Sequence, residues 1–126
     1  MPSFWKTEES AVKSEAKRLS STLRYLYDEA VGKKRTYVIK IDLNGDSWKF
    51  ESEKESRSFQ MRDNVMFKDV VIPSLGEVST GEIILKFGPL GPEEPITLHL
   101  IKDKTEYTVM FNHINGKAKI INEYIL

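Results

Sequence analysis

No cysteine occurs anywhere in this chain of 126 residues. That excludes disulfides, thiolate metal sites and a cysteine nucleophile, and it leaves the redox compartment unread. Histidine is scarce too, with only His99 and His113. Net charge is missing, because Lys plus Arg and Asp plus Glu are each 19. A balanced chain lacks the broad basic field of a nucleic-acid binder, so nucleic acid is not an expected partner. No run approaches the roughly 18 apolar residues of a membrane span, and no secretory signal peptide is visible. Internal repeats and low-complexity tracts are absent as well. What remains is an ordinary globular composition, 40% hydrophobic and 30% charged. Its length suits one domain over residues 1–126 with a real core.

Val12, Ala16, Leu19, Leu23, Leu26 and Ala30 recur at steps of four and three, so they share one face of a helix. The helix is expected over about 7–31. Thr7 suits its cap, and Glu8 and Glu9 oppose the dipole in the first turn. Glu9–Lys13 and Arg24–Asp28 have the spacing of surface ion pairs. Gly32 is expected to stop the helix, with Lys33, Lys34 and Arg35 following where the dipole favours cations.

From about 36 to 123 the chain reads as strands and turns. Tyr37–Leu43 and Asp46–Glu51 flank Asn44-Gly45, a hairpin signal. Residues 52–64 are charged and polar, and read as an exposed, mobile connection. Val65–Ile72 is an apolar segment ended by Pro73. Gly81–Phe87 places Ile83, Leu85 and Phe87 on one face, ahead of the turn-rich GPLGPEEP. Ile96, Leu98 and Leu100 alternate, as do Tyr107, Val109 and Phe111, with a turn at Lys102-Asp103-Lys104 between them. Asn115-Gly116 turns the chain into Lys117–Ile121. The fold class is α+β: a long N-terminal helix packed on antiparallel β-sheets as a small two-sheet sandwich.

Catalytic signatures are weak. Asp42, Asn44, Asp46 and Glu53 match positions 1, 3, 5 and 12 of a calcium loop, but Ser47 stands where that loop needs glycine. A plain hairpin with polar shoulders is the better reading. His99 alternates against Leu98 and Leu100, so it is expected on the surface, and His113 is read the same way. No serine lies in a nucleophile elbow. Lys102, Lys104, Lys117 and Lys119 offer a second basic cluster near hairpin ends, interleaved with acidic residues. GPLGP lacks the Lys-Ser/Thr of a phosphate loop. Glu93 and Glu94, adjacent on an extended chain, do not form a catalytic carboxylate pair. The reading is a non-enzyme without metal or cofactor, whose helix is its working part. Leu23, Leu26 and Ala30 are expected to cover the domain's own sheet. Val12, Ala16 and Leu19 are expected to project and pack against neighbouring subunits. On that expectation a charged residue at Val12 spares folding and blocks assembly.

Three stretches carry a resemblance. AKRLSSTLRYLYDEAVGKKRTYVIKIDLNGDSWKFE at 16–51, FGPLG at 87–91 and NGKAKI at 115–120 resemble the type IV pilin-like subunits. They are closest to the minor pseudopilin H family of type II secretion and the related FimT-type minor pilins. Phe87, Pro89 and Gly91 match the family's turn motif. The resemblance implies a non-catalytic structural subunit of the secretion pseudopilus, a short fibre that helps export folded proteins across the outer membrane. It implies a periplasmic domain of an inner-membrane-anchored protein from a Gram-negative-type bacterium. Other pseudopilins are the implied partners, with the secretin or the secreted cargo as further ones. It also implies a leader and an apolar membrane helix, which this sequence does not contain. The stretch PSFWKTEE at 2–9, with Phe4 and Trp5, fits the point where such a helix becomes amphipathic. The alternatives are a FimT-like minor pilin binding DNA through Lys117 and Lys119, and a stand-alone ligand-binding domain built on His99 or His113.

Overall fold

In the computed structural model, residues 7–123 are described. Phe4, Trp5 and the expected junction with a membrane helix lie outside them. Helix α1 (Glu8–Lys33) begins at Thr7, whose hydroxyl accepts from the Ser10 N–H at 3.0 Å. Its far end differs from expectation. Gly32 stays helical, and the left-handed cap is Lys34 (φ 55°, ψ 46°). The N–H groups of Lys34 and Arg35 both reach the Ala30 carbonyl, which satisfies an end group the helix itself cannot. Among the described residues the helix ion pairs are Glu15–Arg18 and Glu29–Lys33, not the two expected from spacing. Glu9 accepts instead from the Asn122 amide at 3.1 Å.

The strands are β1 (Tyr37–Asp42), β2 (Ser47–Glu51), β3 (Ser56–Gln60), β4 (Met66–Ile72), β5 (Gly76–Val78), β6 (Glu82–Phe87), β7 (Ile96–Lys102), β8 (Thr105–Phe111) and β9 (Ala118–Glu123). They form two antiparallel sheets, ordered β3-β2-β1-β6 and β5-β4-β7-β8-β9. The first hairpin pairs Asp42 with Ser47. Its turn is built by Asp42, whose Oδ1 accepts from the Asn44 and Gly45 N–H groups at 3.0 and 2.9 Å. Gly45 is required for room: a Cβ there would lie 2.5 Å from Asp42 Oδ2. The positive φ falls on Asp46 instead (53°).

The connection expected at 52–64 is a correction. Residues 56–60 form β3, in continuous antiparallel register with β2. The strand is an edge with most of its side chains in solvent, so its sequence carries no apolar alternation. Phe59 is its anchor, stacked on Trp48 at 5.3 Å with the rings 12° from parallel.

The helix lies where the inner faces of the two sheets meet. Its apolar stripe packs chiefly on β8 and β9. Val12, Ala16 and Leu19 have no exposed surface, the same as Leu23, Leu26 and Ala30. The expected division of the stripe is therefore corrected. The domain's own core takes the whole stripe, so these side chains reach no neighbour while the domain is folded.

A second, polar stripe packs toward the aromatic face of the first sheet, and no apolar periodicity announces it. Glu15 is buried and accepts from Arg18 Nη2 (2.7 Å) and the Arg62 N–H (2.8 Å). Arg18 also donates to the Gln60 carbonyl at 2.5 Å, and its guanidinium lies 4.9 Å from the Trp48 ring centre. The Arg18 Nε, buried without a hydrogen-bond acceptor, belongs to that stacked group. Thr22 donates to the Arg18 carbonyl and accepts from Trp48 Nε1 at 3.3 Å. Further along, Tyr25 donates to Glu55 at 2.9 Å and ties the β2–β3 turn to the helix.

Removing Glu15 leaves the Arg18 charge and the Arg62 N–H without their acceptor. Glu15→Ala is expected to lower unfolding free energy by about 3 kcal/mol, measured by urea denaturation. Partial burial, then the bond to Glu55, pushes the Tyr25 phenol up to about 12. Its ordinary value is near 10. The folded state thus holds the proton longer than the unfolded chain. The stabilisation is complete below pH 10 and is lost as pH rises from 10 toward 12. A Tyr25→Phe variant should show a shallower loss over that window in chemical denaturation at stepped pH.

Candidate functional site

Among the described residues, four large apolar side chains are more than half exposed: Leu90 (89%), Ile114 (77%), Leu75 (59%) and Ile84 (58%). Three of them, Leu75, Ile84 and Leu90, line one open cleft of about 520 Å³. Its floor is the buried Ile72 and Ile96 with half-buried Leu85. Strand β6, at the edge of the first sheet, forms one side. The turn after β4 and the loop between β6 and β7 form the others. These two segments are latched: Ser74 donates from its N–H to Glu94 Oε1 (2.7 Å) and from its hydroxyl to Oε2 (2.6 Å).

The motif Phe87-Gly88-Pro89-Leu90-Gly91 builds the outer wall. Phe87 is buried and packs on Phe111 at 5.7 Å. The chain then turns back, the Gly91 N–H reaching the Gly88 carbonyl at 2.8 Å. Gly91 has φ +87°, and a Cβ there would meet the Tyr27 ring at 2.8 Å. Tyr27 is the clasp of this end of the domain. Its hydroxyl donates to the Ile114 carbonyl at 2.9 Å, and its ring lies against Gly116, whose φ is +72°. One helix side chain thus fixes two loops far apart in sequence, and both turn glycines exist to let it in. Pro89 and Gly91 line the cleft, and Phe87 supports it from the core. No motif in the sequence announced Tyr27, Leu75 or Ile84 as part of this arrangement.

The other candidates disperse. The calcium-loop oxygen ligands are engaged with backbone: Asp42 caps its own turn, the Asn44 amide Oδ1 accepts from the Gly81 N–H, and Asp46 Oδ1 from the Phe67 N–H. Glu53 lies past the far end of β2. His99 corrects the surface expectation. A β-bulge between Phe67 and Asp69 aims the buried Asp69 at His99, and Nδ1 and Oδ1 stand 2.5 Å apart. Thr108, opposite His99 in register, is buried, so no hydroxyl is offered to solvent beside the pair. His113 sits in the β8–β9 loop beside Ile114 and Lys117.

The basic residues of the hairpins do not merge. Thr105, in the Lys102–Lys104 hairpin, meets Glu8 at the helix start. The loop before Lys117 and Lys119 meets Tyr27 instead. These helix positions are about 28 Å apart along the axis. What the helix leaves in solvent is the stripe Lys13, Lys17, Ser21, Arg24 and Asp28.

No family model matches the chain, and no curated protein matches its sequence. Solved structures do share its fold. The minor pseudopilin EpsH of the type 2 secretion system of Vibrio cholerae superposes with a TM-score of 0.65 at 19% identity, over 89% of this chain and 97% of that one. The type IV minor pilin FimU of Pseudomonas aeruginosa gives 0.56 at 16% identity, over 86% of this chain and 90% of that one. The fold is therefore the pilin-like α+β fold, one N-terminal helix on two antiparallel sheets.

Alanine at Gly116 forces a left-handed φ on a residue with a Cβ and drives that Cβ into Tyr27. Gly116→Ala is expected to cost about 2 kcal/mol or more, read by thermal or urea unfolding. In a Tyr27→Ala background the same change should cost clearly less, because the ring is gone. Equal costs in both backgrounds would show that the clasp is not what requires the glycine.

Proposed function

We propose that this chain is a non-catalytic structural subunit of a pilin-like fibre, specifically a minor pseudopilin of type II secretion. The single observation that supports this is the fold shared with EpsH across nearly the whole of both chains. The domain is then a periplasmic one, held to the inner membrane by an apolar helix preceding α1. Its partners are the other pseudopilins of the fibre, with the secretin and the secreted cargo as further contacts. Energy for movement comes from elsewhere, since the domain offers packing surfaces and no reactive constellation among its described residues.

The surfaces available for packing are those the core does not consume. They are the solvent stripe of α1 and the apolar cleft beside β6. A second reading is a minor type IV pilin that binds DNA; the FimU likeness supports its pilin part alone. It is the weaker one, because Lys117 and Lys119 stand apart from Lys102 and Lys104 and gain no added field from them.

The test is incorporation. The native gene product, expressed with its fibre system, should appear in the fibre fraction sheared from cells. Lys17→Glu with Arg24→Glu is expected to reduce that fraction while leaving the melting temperature of the isolated domain within a few degrees. Val12→Asp is expected to unfold or strongly destabilise the domain, since it buries a charge in the core. Full expression of a folded chain that never enters the fibre fraction would overturn the reading.

A further inference from the structure

Sheet edges are usually blunted, and the four edges of this domain differ in how far they are. The edges are β3, β6, β5 and β9. Strand β3 is polar except for Phe59. Strand β5 has three residues and begins at a glycine. Strand β9 carries Lys119 and follows Lys117. Strand β6 reads Glu-Ile-Ile-Leu-Lys-Phe and pairs with β1 over six consecutive positions without a bulge. It contains no proline, and no segment among the described residues pairs with its outer side. Among the described residues, the backbone of residues 83–86 bonds only to β1. Its charges, Glu82 and Lys86, sit toward the strand's ends, and the Ile-Ile-Leu stretch between them is an unpaired apolar edge, a template for another strand.

The edge also fronts a built cavity. The cleft beside it is floored by Ile72, Leu85 and Ile96, and it is walled by Leu75 and Leu90. The Ser74–Glu94 latch and the Tyr27 clasp hold those walls in place before anything binds. Unpaired main chain next to apolar side-chain pockets is the arrangement used for strand addition.

We infer that the β6 edge and its cleft receive one extended segment of another protein chain, added as a fifth strand to the first sheet with apolar side chains at alternate positions in the cleft. The unpaired backbone calls for an extended occupant, because a helix has no free main-chain groups to offer along its side. Leu75 and Leu90, 59% and 89% exposed, offer apolar side-chain contact beside that strand. That the segment comes from a fibre neighbour rests on the reading above.

The probe is a short fluorescein-labelled peptide of alternating valine and threonine, with an N-methylated version as control. The isolated domain should bind the first and not the second, because methylation removes main-chain donors and keeps the side chains. Bound peptide should slow amide exchange at residues 82–87. Ile84→Lys, at an exposed position, should weaken binding about tenfold or more. Leu90→Asp, in the most exposed position of the wall, should do the same. Absence of peptide binding, equal binding of the methylated control, or protection elsewhere on the domain would each overturn the inference. A chain that enters fibres yet fails here overturns only the strand addition. One that binds the peptide yet never enters fibres overturns only the fibre role.

Discussion

The structure depends on one helix being held on two sides. An apolar stripe alone would fasten α1 to the five-stranded sheet and leave its flank to water. Glu15, Arg18 and Thr22 prevent that. They turn a second face of the same helix toward Trp48, Phe59 and the backbone of residues 60–62. Each bond is charge-assisted or closes on a buried group, so losing one partner strands the other. The consequence reaches beyond stability. With both sheets gripped by one helix, the cleft between them has a fixed shape, and the loops at the helix's far end are fixed by Tyr27.

Much of this could be read in the residues, and the parts that could not have physical reasons. The helix was legible because six apolar residues repeat at its period and Thr7 marks its start. The central strands were legible because one face of each is buried: Tyr37, Ile39 and Ile41, or Leu98 and Leu100. Strand β3 was not, since an edge strand facing water has no alternation to show beyond Phe59. The polar stripe of α1 was not, because Glu15 and Arg18 look like ordinary surface charges until Gln60 and Arg62 arrive from across the fold. Gly32 misled because Lys34 takes the left-handed cap, two residues later. Val12, Ala16 and Leu19 misled because periodicity shows which face is buried but not by what. The turn motif Phe87-Pro89-Gly91 was visible as a pattern. Its partner Tyr27 was not, because only the fold brings residue 27 to residues 91 and 116.

Of the residues that resembled a metal loop, Asp42 holds its own turn and Asp46 accepts from the Phe67 N–H. The domain's exposed features are the apolar stretch of the β6 edge, leucines at 90 and 75 in solvent, and a basic stripe along the exposed side of α1. The same clamp that buries the apolar stripe also moves the question of assembly outward. On the function proposed above, neighbours are met by what the helix leaves exposed and by the sheet edges.

The most direct test of the clamp is residue-resolved amide hydrogen exchange on the isolated domain. If Arg18 and Glu15 fasten the β2–β3 hairpin to the helix, the strand-paired amides of residues 56–60 and the Arg62 amide should be protected together with the middle of α1. Those amides should lose protection in Glu15→Ala before the helix does. Exchange through 56–62 at the rate of an unstructured loop, beside a protected helix, would contradict the account.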